Sequence, residues 1–363
     1  MIPFFDLAAQ QAVIKFQVDE NISKVLAHGQ YILGPEVAEL EERLCEYTGA
    51  KYCITCANGT DALQIALMAM GVGPGDEVIT PAFSYIAAAE AIALLGATPV
   101  FVDIDPLTFN VDPECIEQAI SEKTKAIVPV SLFGQPIDFE EINRISEKYN
   151  LIVIEDAAQS FGASSKQQYS CNLTRIACTS FFPTKPLGCY GDGGALFTSD
   201  DYLAQKIRRI ARHGQEKKYE HLVVGVNSRL DTIQAAILLA KLSALDTERA
   251  MRERIAYSYI KKLECLPQIQ LPFIKPQSTS AWAQFSILVP DREDFSNYLS
   301  KYNIPTMVHY PRTLSSQPAL LNPDTYCPKS EFTAQHIISL PSHSYLKIES
   351  QEKIITHILQ YFD

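Results

Sequence analysis

Leu151-Ile152-Val153-Ile154 is an unbroken apolar run that stops abruptly on two acids, Glu155 and Asp156. Apolar residues in succession mark a strand buried on both faces, as in a parallel sheet. Parallel strands need long crossover connections, usually helices, and the chain upstream supplies them. Strand-like segments at 51–56, 77–80, 99–102 and 125–130 alternate with helical segments at 62–70, 84–95 and 138–149. Asp112-Pro113 caps a further helix. Gly34-Pro35 opens an earlier one, in which Val37, Leu40, Leu44 and Tyr47 recur at helical spacing up to Gly49. Repeated βα units predict an α/β fold: a three-layer α/β/α domain with a mostly parallel sheet. Ligands of such sheets lie beyond the carboxyl ends of the strands. That rule places Asn58-Gly59-Thr60-Asp61 and Glu155-Asp156-Ala157-Ala158-Gln159 at one edge.

At 363 residues the chain suits two domains. Beyond a strand at 194–198 and a helix at 200–213, residues 230–263 read as one long helical pattern bridging them. The Pro-rich remainder reads as a smaller α/β domain, with a strand at 283–289 and a helix at 292–302. The expected division is 1–245, including an N-terminal arm, and 246–363. A net charge of −11 argues against nucleic acid as a partner. No apolar run is long enough for a transmembrane span, and Ile2-Pro3-Phe4-Phe5-Asp6 does not look like a signal peptide. Nine cysteines without framework spacing suit a reducing cytoplasm. Cys53 and Cys56 form a lone C-x-x-C with no second pair, so no metal site is expected.

Ser180-Phe181-Phe182-Pro183-Thr184-Lys185-Pro186-Leu187-Gly188 holds a single lysine among aromatic, proline and glycine residues. Poor hydration disfavours its ammonium and lowers its pKa, which suits a nucleophilic amine. Asp156, at the end of an apolar strand, needs a cationic partner. A protonated pyridine nitrogen would serve, which points to pyridoxal phosphate. Gln159 could then bond the ring hydroxyl. Gly59, Thr60 and Asp61, at a helix start, offer backbone donors and the positive dipole end to its phosphate, and the Ser180 hydroxyl adds another. Tyr85 or Phe83 could stack on the ring. Each residue alone has a simpler structural explanation; the set in this order is far more specific.

These motifs, together with Gly34-Pro35-Glu36, Gly73-Pro74-Gly75-Asp76-Glu77-Val78 and Asn227-Ser228-Arg229-Leu230-Asp231, resemble the DegT/DnrJ/EryC1/StrS family of sugar aminotransferases. The resemblance extends to about residue 345. It implies fold type I of the pyridoxal-phosphate enzymes, with Lys185 as the Schiff-base lysine and Asp156 on the pyridine nitrogen. Thr60 and Ser180 would hold the phosphate with Asn227 of the partner subunit, in a homodimer with shared active sites. Cys56-Ala57-Asn58-Gly59, Ser170-Cys171-Asn172-Leu173, Cys189-Tyr190-Gly191-Asp192 and Ala211-Arg212-His213-Gly214-Gln215 resemble more closely the bacterial subgroup acting on UDP-2-acetamido-2-deoxy-3-oxo-glucuronic acid. That subgroup implies L-glutamate as amino donor, pyridoxamine phosphate as the intermediate form, and a role in lipopolysaccharide and O-antigen precursors. A different UDP- or dTDP-keto sugar, a dehydratase and a non-catalytic regulatory homologue are the alternatives. Lys185 opposes the dehydratase, whose branch carries histidine there.

If residues 227–229 are extended, Asn227 and Arg229 point the same way. Arg229 is then the candidate for a substrate carboxylate, unless it pairs with Asp231. His309 and Tyr310 are further substrate candidates. Residues 206–218 carry six basic residues against Glu216, either a solvated face or a rim attracting the nucleotide diphosphate.

Overall fold

The structure, a computed structural model, describes residues 2–322 and 325–363. The expected sheet has seven strands: β1 (Tyr52–Cys56), β2 (Glu77–Pro81), β3 (Thr98–Val102), β4 (Thr124–Ile127), β5 (Ile152–Asp156), β6 (Ile176–Ser180) and β7 (Gly194–Thr198). Their spatial order is β1-β7-β6-β5-β4-β2-β3. The neighbours from β6 across to β3 pair in parallel, whereas β7 is antiparallel to both β1 and β6. The apolar run that predicted a doubly covered strand behaves as one. Ile154 packs into the core on one face of the sheet and Val153 into a different cluster, with Ile142 and Ile145 of the helix Phe139–Tyr149.

Local signals account for the helix ends. Asp112 and Asp138 each accept a backbone N–H from two residues ahead, capping the helices Pro113–Gln118 and Phe139–Tyr149. Gly49, at φ 78°, closes the helix Pro35–Thr48, which buries Val37, Leu40 and Leu44. The helix after β1 starts at Gly59, earlier than expected, because Asn58 Oδ1 accepts the Asp61 N–H at 2.8 Å.

The single long helix expected over 230–263 is instead two, Thr232–Leu242 and Leu245–Leu263. The Ser243 hydroxyl donates to the Ala240 carbonyl at 2.7 Å, competing with the backbone N–H groups that would continue the helix. Leu242 and Leu245 flank the break and both pack into the same apolar cluster. The hydrophobic period therefore runs straight across it.

After the break a second core forms around β8 (Phe285–Leu288) and β9 (Ile337–Leu340), an antiparallel pair. The helices Leu245–Leu263, Arg292–Lys301 and Ile348–Phe362 cover it with Tyr259, Phe295 and Ile354, and Ile2 joins from the amino-terminal end. The segment between β8 and β9 returns to the large sheet. Val308 and Tyr310 pack on the first core, and Leu314 and Cys327 on Ala82 and Phe101. His309 and Tyr310 are thereby carried to the carboxyl edge of the large sheet. No helix among the described residues is long and apolar enough to cross a membrane.

β7 starts at the edge where β1 and β6 end, since Gly194 pairs with both Cys56 and Ser180. A Cβ on Gly194 would lie 2.5 Å from the Asn58 carbonyl carbon and oxygen. Gly194→Ala is therefore expected to displace the Asn58 cap and lower stability by about 1–3 kcal/mol, the usual cost of overpacking. Urea unfolding monitored by circular dichroism measures it.

Candidate active site

Asp156 ends β5 and is 6% exposed. Its carboxylate accepts the Ala158 N–H at 3.0 Å. Burial pushes its pKa up, and the nearby positive charge of Lys185 works in the opposite direction. Burial likewise pushes the Lys185 pKa down, opposed by Asp156. Lys185 Nζ has no hydrogen-bond partner among the described residues. Each group is thus desolvated and only partly compensated by the other. Such a pair is costly to bury unless a further charged partner completes it.

The lysine loop is held closed by its backbone. Lys185 N donates to the Phe182 carbonyl at 2.9 Å and Cys189 N to the Phe181 carbonyl at 2.8 Å. A Cβ on Gly188 would come within 2.5 Å of the Phe182 and Pro183 carbonyl oxygens, so the closure needs glycine there.

Beside this pair the helix Gly59–Ala69 begins. Its first N–H groups, those of Gly59 and Thr60, have no acceptor among the described residues, while Asp61 N is satisfied by the Asn58 side chain. Ser180, at the end of β6, touches this helix start closely enough that a Cβ on Gly59 would lie 2.7 Å from Ser180 Cβ. Ser180 Oγ accepts the Phe182 N–H at 3.2 Å, which leaves its own hydrogen to donate. Free backbone donors, a hydroxyl and a helix dipole converge on one spot, the arrangement that suits a phosphate.

Gln159 is 2% exposed; its Oε1 accepts the Phe133 N–H at 2.9 Å and its Nε2 donates to Tyr310 OH at 3.3 Å. The second amide hydrogen remains available. No local pattern signals that Tyr310 meets Gln159, since 151 residues separate them. His309 is also close: burial, and then Lys185, lower its pKa to about 4. Its Nδ1 lies 2.9 Å from Ser339 Oγ. Phe83 and Tyr85 separate clearly. Phe83 is 1% exposed and packs edge-on to Phe133 and Tyr310, whereas Tyr85 is 56% exposed with its ring 5.9 Å from that of Tyr310.

Residues 227–230 alternate as an extended segment should. Ser228 and Leu230 are buried, and Ser228 Oγ accepts the Ala57 N–H at 3.0 Å; Asn227 is exposed and Arg229 half-buried. Arg229 forms no ion pair with Asp231 or any other acid among the described residues. The basic segment is partly neutralised. Arg208 pairs with Glu41 at 3.0 Å and Arg209 with Glu216, while Lys217 and Lys218 are exposed on the hairpin Gln215–Lys217/Glu220–His221. Glu155, inside the recognised motif but without an expected role, is fully buried. It accepts from Ser170 Oγ at 2.7 Å and Cys171 N at 3.1 Å, tying the 170–171 turn to β5; burial raises its pKa to about 7.

The sequence profile of the DegT/DnrJ/EryC1/StrS aminotransferase family matches residues 13–359, and the chain belongs to that family. It is 58% identical over 350 residues to the UDP-2-acetamido-2-deoxy-3-oxo-D-glucuronate aminotransferase of Pseudomonas aeruginosa, covering 96% of this chain and 97% of the relative. A DegT DnrJ EryC1 StrS aminotransferase from Brucella abortus superposes with a TM-score of 0.97 at 44% identity over 100% of both chains. NtdA from Bacillus subtilis, solved with its cofactor PMP bound, superposes with a TM-score of 0.93 at 31% identity, covering 99% of this chain and 85% of that one. The family uses pyridoxal phosphate. The under-compensated Asp156 and the free donors at Gly59, Thr60 and Ser180 fit its pyridine and phosphate ends.

The closeness of Lys185 to His309 has a measurable consequence. With its folded pKa lowered, His309 is neutral at pH 7 and takes up a proton only near pH 4, below where it does so in the unfolded chain. Its contribution to stability is therefore present above pH 6.5 and is lost as pH falls toward 4. Lys185→Met removes a neighbouring positive charge, so the His309 pKa is expected to rise. Imidazole NMR titration of both proteins measures the shift.

Proposed function

We propose that this chain transfers the amino group of L-glutamate to UDP-2-acetamido-2-deoxy-3-oxo-D-glucuronic acid, as a cytoplasmic homodimer, in the supply of surface polysaccharide precursors. The end-to-end likeness to the Pseudomonas aeruginosa enzyme carries the choice of sugar. In the same reading, residues 1–245 form the cofactor domain and 246–363 the smaller domain.

Bound pyridoxal phosphate supplies an electron sink for breaking the C–H bond beside the transferred nitrogen. The chain's residues do the rest. Asp156 holds a proton on the pyridine nitrogen, since its buried carboxylate is stabilised by a cation there. Lys185 binds the cofactor covalently and, once released, moves a proton at Nζ; its lowered pKa makes the neutral amine accessible. Gly59, Thr60 and Ser180 hold the phosphate while the Asp61 N–H stays on the Asn58 cap, Gln159 donates to the ring oxygen, and exposed Tyr85 stacks on the ring. Asn227 faces away from its own subunit's core, which supports its reaching the phosphate of the second subunit. Arg229, half-buried and without an acid partner among the described residues, binds the carboxylate of the sugar, with His309 and Tyr310 completing that side. An intact lysine, carboxylate and phosphate cradle speaks against a purely regulatory homologue. A different UDP- or dTDP-keto sugar is the second reading, as some relatives carry dTDP-sugar names.

Incubation with glutamate and a panel of UDP- and dTDP-linked keto sugars, analysed by mass spectrometry, tests the assignment. The 3-oxo-glucuronic acid is expected to give the amino product with the highest kcat/KM. Arg229→Lys is expected to lower that value by about tenfold to a hundredfold, the size of a lost charged hydrogen bond. A preference for a neutral 6-deoxy sugar would overturn it.

A further inference from the structure

Behind the lysine loop lies a cavity walled by sequence-distant groups: Gln10, Lys185, Glu248, Arg252, Trp282 and Tyr345. Its volume is about 50 Å³. That accommodates a few waters or a carboxylate on a short stem. Its walls are left with spare donors. Arg252 Nε donates to the Ala281 carbonyl at 3.0 Å, but its Nη2, shut off from solvent, has no acceptor. Trp282 is 2% exposed and its Nε1 has none either. The acid in the wall is already engaged: Glu248, 3% exposed, accepts from Gln10 Nε2 at 2.6 Å and Tyr345 OH at 2.9 Å. Asp6, also in the wall, accepts the Ala9 N–H. Gln10 Oε1 is left as a buried acceptor.

Buried donors without acceptors are costly, so a group bearing acceptor oxygens belongs there. Burial disfavours the Arg252 cation, with Glu248 only partly offsetting it. A bound carboxylate would satisfy both the charge and the unpaired N–H groups. We propose that this cavity binds one carboxylate of the amino donor, an α-amino dicarboxylic acid, through Arg252 and Trp282. Lys185 lines the same cavity, so the donor's amino group is retained beside the reacting lysine, and Gln10 Oε1 can accept a hydrogen from the ammonium. Arg229 is not part of this cavity. Donor and sugar carboxylates are then read by different arginines, which lets one enzyme accept two unlike acids in turn. The proposal rests on Lys185 as the cofactor lysine and on an acidic amino acid as donor.

Trp282 is the only tryptophan of the chain, so intrinsic fluorescence reports on this cavity. Titrating the pyridoxamine-loaded holoenzyme with glutarate, an unreactive dicarboxylate, is expected to give a saturable change in Trp282 emission. Arg252→Met is expected to weaken it at least tenfold and to raise the KM for glutamate by as much. The single-turnover rate of the pyridoxamine form with the keto sugar should stay within twofold. Arg252→Lys, which keeps the charge, should recover part of the glutarate affinity, and it serves as the comparison if the methionine variant does not fold. Unchanged wild-type fluorescence under saturating glutarate, or an equal fall in both half-reactions of a folded variant, overturns the proposal. Glutarate binding in an enzyme that rejects the 3-oxo-glucuronic acid would support this site and remove the sugar assignment.

Discussion

The structure turns on two opposite charges that the fold has stripped of water. Asp156 and Lys185 face one another across the end of the sheet, each with its ionised form disfavoured by burial and only partly restored by the other. Replacing either by an apolar residue would leave its partner buried and uncompensated, the arrangement that destabilises most. The pair persists because the elements carrying it are fixed independently. Asp156 is held by β5, which is buried on both faces, and Lys185 by a backbone-bonded loop that only glycine can close at position 188. A cationic ring nitrogen placed against Asp156 relieves the carboxylate and frees the lysine to work as a neutral amine.

The phosphate end follows from the same sheet edge. β1, β6 and β7 meet there, and close contacts at Gly59 and Gly194 bring a helix start against Ser180. Neither the helix dipole nor the hydroxyl would suffice alone. Their coincidence beside the Asp156–Lys185 pair fits a molecule with a cationic ring and a phosphate.

Much of this was legible in the sequence, for physical reasons. A doubly buried strand must be apolar and must stop where burial stops, which located Asp156. Asn58 followed by glycine and threonine is a helix start whatever the tertiary context. The lysine loop was readable because glycine and proline restrict backbone geometry locally. What was missed depended on contacts between distant residues. The helix break at Ser243-Ala244 lies inside a hydrophobic period that continues through it, so only the hydroxyl's bond to Ala240 marks it. Phe83 and Tyr85 stand two positions apart, and nothing local says which one the second core's return segment buries. The contact of Tyr310 with Gln159 and the acid partner Glu41 of Arg208 are likewise set by topology. The Arg252 cavity belongs to the same class, since its walls come from both ends of the chain.

Borohydride reduction of the holoenzyme, followed by peptide mapping, tests the Asp156–Lys185 account most directly. The chain offers a natural control in Lys241, which is 3% exposed and whose pKa burial lowers to about 8. Low pKa alone would make it a competitor, but it faces Tyr190 rather than Asp156. The account predicts the reduced cofactor on the peptide containing Lys185 and none on that containing Lys241. Stable labelling of Lys241, or of any lysine other than Lys185, would contradict it.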